Sequence, residues 1–143
     1  VNCWNLILRS GYPYGLILED DVIFCDDFSN YFNKIFNNIK NKEWDIIALG
    51  RRCNSNLFTE NCVDGEIIYD NTFYPDFIGY ATYAYIIKTN TIKKLLQTTF
   101  PISKPIDVVL IDEQQNKSIK IISFMKNLVG IYNLADSDTS KIK

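Results

Sequence analysis

There is no histidine anywhere in the 143 residues. That single absence removes Ser-His-Asp and Cys-His nucleophilic catalysis from consideration. Cysteine is scarce and badly spaced for metal: Cys3, Cys25, Cys53 and Cys62 contain no C-x-x-C pair, which argues against a structural zinc site. Cys53 and Cys62 bracket a polar loop and could bridge in an oxidising compartment, the plainer alternative being two idle thiols. No apolar run approaches the roughly 18 to 20 residues of a membrane span. Nor is there a basic stripe: the net charge is −2 with acids and bases interspersed, so a nucleic-acid surface is not expected. A signal peptide is also missing. The first residue is Val1 and the chain opens inside a helical pattern, so it reads as a piece of a longer protein and says nothing about compartment.

What is present is a core. Apolar residues make up 47% and aromatics 14%, enough for one globular domain of this length. The richest stretch is Leu16-Ile17-Leu18-Glu19-Asp20-Asp21, a short apolar run that passes directly into three acids, with Asp26-Asp27 following. Bounded by Gly11, Pro13 and Gly15, residues 16–18 predict a buried strand. In α/β sheets function gathers just beyond strand C-termini, which is where these acids fall. Three adjacent carboxylates repel one another, and a hard divalent cation is the economical way to hold them together. The bland alternative is a solvated acidic turn that caps the next helix.

The rest of the chain alternates helix and strand. Residues 1–10 predict a helix stopped by Gly11. Phe28, Phe32, Ile35, Phe36 and Ile39 share one face of a helix over about 28–40, capped by Asp27 or Ser29, and that aromatic stripe reads as core. Residues 44–50 predict a second buried strand, making a βαβ unit whose two strands run parallel. Residues 51–66 are polar and long enough to face a substrate. Strands are expected over 66–69, 76–87 and 119–124. A short helix is expected over about 89–98, and another begins at Pro105-Ile106-Asp107, with proline in its favoured first-turn place. Asp107 there has a plain reading as a helix N-terminal stabiliser. Residues 125–143 are polar, and neither a repeat nor a linker is evident.

Four features in order resemble glycosyltransferase family 25, which includes lipooligosaccharide and procollagen galactosyltransferases. The stretch from Trp4 to Asp21 is similar to the family's tryptophan-bearing helix and Ile-Leu-Glu-Asp-Asp-Val strand end. Trp44-Asp45-Ile46-Ile47-Ala48-Leu49-Gly50 resembles its W-D strand. Gly79-Tyr80-Ala81-Thr82-Tyr83-Ala84-Tyr85-Ile86-Ile87, with Lys93-Lys94-Leu95-Leu96 after it, resembles the G-x-x-A-Y segment. Pro105-Ile106-Asp107 resembles the P-[apolar]-D motif, and Leu128-Val129 with Ser137-Asp138 echoes a late L-V … S-D element.

The resemblance implies a nucleotide-sugar-transferase (GT-A-like) α/β fold. Its sheet would be mostly parallel, flanked by helices, with one short antiparallel segment. It would form a single domain over 1–143, N-terminally truncated because the family's uridine-binding first strand and a Ser-His pair lie upstream. It implies transfer of galactose or glucose, with inversion, from a UDP-hexose donor to a hydroxyl on a glycan or on a collagen-like hydroxylysine. Mn²⁺ or Mg²⁺ would be the cofactor. The residues then take roles by position. Glu19 and Asp21 correspond to a D-x-D pair on the metal, Asp20 turns toward ribose or metal, and Asp138 reaches the metal from the C-terminal segment. Asp107 is the base that takes the acceptor proton, with Asp112 and Glu113 as runners-up, and Tyr83 and Tyr85 either stack on a sugar or pack the core. The two acceptors imply different compartments, cytoplasm or endoplasmic reticulum lumen. A non-catalytic carbohydrate-binding or scaffold module is the alternative function. A phospho-receiver domain is disfavoured because Asp45 opens its strand where that fold needs an acid at the end.

Overall fold

The computed structural model describes residues 2–50, 67–68, 83–99, 101, 103–124 and 128–131. In chain order the elements are α1 (Asn2–Ser10), β1 (Tyr14–Leu18), β2 (Val22–Phe24), α2 (Phe28–Ile39), β3 (Ile46–Gly50), β4 (Ile67–Ile68), β5 (Ala84–Lys88), α3 (Thr89–Thr99), α4 (Ile106–Gln115), β6 (Ile121–Phe124) and β7 (Val129–Ile131). Five strands form one sheet in the order β1-β5-β3-β6-β4, while β2 and β7 pair in a separate antiparallel ribbon.

The sheet is mixed. β5 runs antiparallel to both β1 and β3, β4 runs antiparallel to β6, and among the described residues only the β3–β6 ladder is parallel. The expectation of a mostly parallel sheet is therefore corrected. β1 and β3 do point the same way, as a strand–helix–strand unit requires, but β5 is inserted between them. Insertion satisfies both neighbours because Ala84-Tyr85-Ile86-Ile87 is apolar on both sides and can be buried on both faces.

Side chains alternate across the sheet with period two, and each face meets its own helices. Ile47, Leu49, Ala84 and Ile86 pack under α2 through Ile39, with Phe28, Phe32 and Phe36 alongside. Ile46, Tyr85 and Ile87 pack on the opposite face with Trp4 of α1, Ile92 and Leu95 of α3 and Leu110 of α4. The rings of Phe28, Phe32 and Phe36 stack in series at 5.5 Å spacings along α2, as their helical spacing predicts.

Two strand readings change. β1 is an edge strand rather than a fully buried one: Leu16 and Leu18 are exposed, and Ile17 alone faces the core. The ribbon β2–β7 is not foreseen from the sequence, since Val22-Ile23-Phe24 is too short and too close to the acids to stand out. Tyr83 and Tyr85 are both core residues, 2% and 4% exposed, which closes them to a sugar. Tyr85 accepts a hydrogen bond from the Trp4 indole N–H at 3.2 Å, and burial pushes its phenol up to about 12.

Asp45 proves to be a fastener. Its carboxylate accepts from the Thr91 hydroxyl and the Lys120 backbone N–H, both at 2.8 Å, while its own carbonyl accepts from the Lys88 N–H. One side chain thus ties the start of β3 to the β5–α3 corner and to the approach to β6. The W-D pair has a structural explanation on its aspartate side.

Candidate active site

The acids occupy the turn by which the chain leaves the edge of the main sheet. β1 ends at Leu18, the Glu19 N–H donates to the Tyr83 carbonyl at 2.8 Å, and the chain turns at Asp20-Asp21 into β2. The Glu19 bond extends the β1–β5 pairing by one residue and so fixes where the acids begin. β2 is held in turn by β7 and by the Cys25 N–H donating to the Leu128 carbonyl at 3.1 Å. Glu19, Asp20 and Asp21 are all exposed, as a strand-end site open to ligand requires.

Asp107 reaches the acid turn through its charge. It stands in the first turn of α4, with its own carboxylate accepting from the Val108 N–H at 2.9 Å. Its charge is felt at Glu19. The Glu19 carboxyl is held above the usual carboxylate range, first by partial shielding from solvent, then by the charges of Asp21, Asp20 and Asp107. The acid turn and the distant helix N-terminus, read separately from the sequence, share one electrostatic neighbourhood. The two runners-up are engaged locally: Asp112 pairs with Lys104 at 2.7 Å, and the Glu113 carboxylate accepts from the Ser118 hydroxyl.

A pH experiment follows from this geometry. The folded protein binds the Glu19 proton more tightly than the unfolded chain does. The contribution of this group to stability therefore grows as pH falls through its raised value and is complete below the ordinary carboxylate range. Glu19→Gln removes the repulsion at neutral pH. Thermal melts should place the variant above wild type at pH 7 by roughly 2 °C, a small gain because the site is open to solvent. The gap should close below about pH 4. A variant less stable than wild type at pH 7 would contradict the assigned crowding.

Among the described residues no three of His, Cys, Asp and Glu form a ready-made metal cage. The donors present suit a different arrangement. Hard carboxylate oxygens, one or two at a time, hold Mg²⁺-like cations in company with substrate phosphates and water rather than in an all-protein cage. The like-charge crowding at Glu19 is the feature that a bound cation would relieve. Asp138 lies outside the described residues, as does the 51–66 loop.

Cys25, on the residue after β2, is disulfide-bonded, and Cys3 is free and exposed. Cys53 and Cys62 lie outside the described residues.

Residues 1–110 match the family described as "Glycosyltransferase family 25 (LPS biosynthesis protein)". The chain belongs to glycosyltransferase family 25. The matched span contains all of Glu19, Asp20, Asp21 and Asp107 and stops inside α4, short of Asp112, Glu113 and Asp138. No curated protein matches the chain. Family membership makes this a sugar-transferase domain, with a glycosyl donor and an acceptor. The described helices include none long and apolar enough to cross a membrane.

Proposed function

We propose that the acid turn and Asp107 form the catalytic centre of an inverting hexosyltransferase that uses a UDP-hexose, galactose or glucose, and a divalent cation, Mn²⁺ or Mg²⁺. Family membership, with the Asp107 charge felt at the Glu19 carboxyl after burial and the charges of Asp21 and Asp20, supports the reading. When bound, the cation supplies charge neutralisation for the departing diphosphate. Glu19 and Asp21 are the residues that would hold it, Asp20 lies beside them toward ribose or metal, and Asp138 would complete the set from the C-terminal segment.

The remaining work belongs to the chain. An acceptor hydroxyl attacks the anomeric carbon from the face opposite the leaving diphosphate, and its proton must pass to a base. Asp107 takes that role in this reading because it lies in the family-matched span, in the first turn of α4, and its charge is felt at Glu19. β1 and β5 form the rigid floor, since the turn is anchored through the Glu19 N–H to the Tyr83 carbonyl. The family description favours a glycan acceptor, and a hydroxylysine peptide is the other acceptor to be assayed.

The test is ligand-induced stabilisation. Mn²⁺ with UDP should raise the melting temperature of the protein, in the full-length parent where this chain is part of one, and Asp21→Asn should abolish the rise. At a hundredfold excess over the dissociation constant the stabilisation expected is about 2.7 kcal/mol. No shift in the wild type would instead favour a carbohydrate-binding or scaffold module.

A further inference from the structure

A second concave site lies at the other end of β1. It is a cavity of about 590 Å³, its wall formed mainly by Tyr12, Tyr14, Trp44, Lys40, Lys88 and Asn90. Trp44, which lines the cavity, is 3% exposed, and its indole N–H has no hydrogen-bond partner among the described residues, which is unusual for a buried N–H group. The Lys88 ammonium sits 4.1 Å from the Trp44 ring centroid and has no carboxylate partner among the described residues. Thr89 and Asn90 add the positive end of the eleven-residue helix α3. Negative charge is therefore welcome here, five residues and about 17 Å along the chain from Tyr14 to the first of the acids that repel it.

The rings decide what carries that charge. Tyr12 is 70% exposed and Tyr14 is 42% exposed. Tyr14 meets Phe36 at 59° and Trp44 at 58°, so the aromatics make a corner and not a parallel slot. One face of Trp44 is already taken by Lys88. A flat nucleobase finds no pair of rings to lie between. A puckered sugar ring, with apolar C–H faces and a rim of hydroxyls, suits tilted rings edged by amide and ammonium donors.

We propose that this cavity is a saccharide subsite selective for a sugar bearing an anionic group, with its charge meeting Lys88 beside the Trp44 ring. The inference stands on the cavity alone, whichever donor the acid turn takes. In a sugar transferase, such a subsite gives the acceptor glycan a second hold remote from the reacting hydroxyl.

The two tryptophans make the test internal, because the Trp4 N–H is already bonded to Tyr85 and serves as reference. Indole ¹H–¹⁵N resonances, assigned with Trp44→Phe, are followed on titration with glucose 6-phosphate, glucose, inorganic phosphate and uridine monophosphate. Glucose 6-phosphate should shift Trp44 saturably and leave Trp4 in place, binding more tightly than any of the other three. Lys88→Gln should weaken it about tenfold, the usual order for a lost charge-assisted hydrogen bond. Tyr12→Ala, at a site too exposed to threaten folding, should weaken it several-fold as well. An unmoved Trp44 signal would overturn the proposal, as would equal or better binding of phosphate, glucose or uridine monophosphate.

Discussion

Asp107→Asn should lower kcat by about 10² to 10⁴-fold, the range in which positioned bases contribute, while the melting temperature stays close to wild type. The fold should tolerate the change because Asn keeps an oxygen for the Val108 N–H and remains acceptable in the first turn of α4. Donor binding, read by the Mn²⁺ and UDP thermal shift, should persist, since Asp107 is assigned to the acceptor proton and not to the diphosphate. The pair of readouts is what makes the role specific. Turnover unaffected by Asp107→Asn would remove it as the base and return attention to Asp112 and Glu113, each of which would first have to leave Lys104 or Ser118.

Gly50→Ala should cost more stability than any surface change, about 1–3 kcal/mol or more by the usual toll of overpacking a filled core. Gly50 closes β3, and a β-carbon there would collide with both the Tyr83 ring and the Val129 carbonyl oxygen. The oxygen belongs to backbone in the β2–β7 ribbon, and Tyr83 is itself buried, so neither can swing aside. Gly15 is the control. A β-carbon at Gly15 meets the half-buried Ile7 side chain, at 2.5 Å, with no backbone among its nearest atoms, and Gly15→Ala should be milder. Urea unfolding of the two variants checks the order; equal costs would contradict it. Because Gly50 packs against the ribbon that receives the acid turn, its variant should also weaken the Mn²⁺ and UDP shift, whereas the Gly15 variant should not.

Local elements were legible because each is written within one turn or one strand. The aromatic series Phe28, Phe32, Phe36 repeats at helical spacing and forms α2. Gly11, at φ 75°, ends α1 where a side chain would be strained. Pro105 stands immediately before α4 with Asp107 in its first turn. The acid triplet at a strand end was visible for the same reason: it needs only the neighbours of Leu18 to be noticed.

What stayed hidden depends on partners far along the chain. No local pattern distinguishes an edge strand from a central one, so Leu16 and Leu18 read as buried until β1 is seen to pair with β5 alone among the described residues. Nor does apolar content say which neighbour a strand takes, and β5 between β1 and β3 turns an expected parallel sheet into a mixed one. The Trp44 cavity is the same kind of case, because its walls come from the α1–β1 turn, α2, the α2–β3 connection and the β5–α3 corner together.

By itself, then, the sequence determined the chemistry available: carboxylates without histidine, clustered after a strand, with a further acid opening a late helix. The tertiary structure decided which of those charges are felt together. Residue types and short-range periodicity are carried by the chain, but that the Asp107 charge is felt at Glu19 depends on strand order and helix docking. Those are settled by which long-range apolar faces can be buried together.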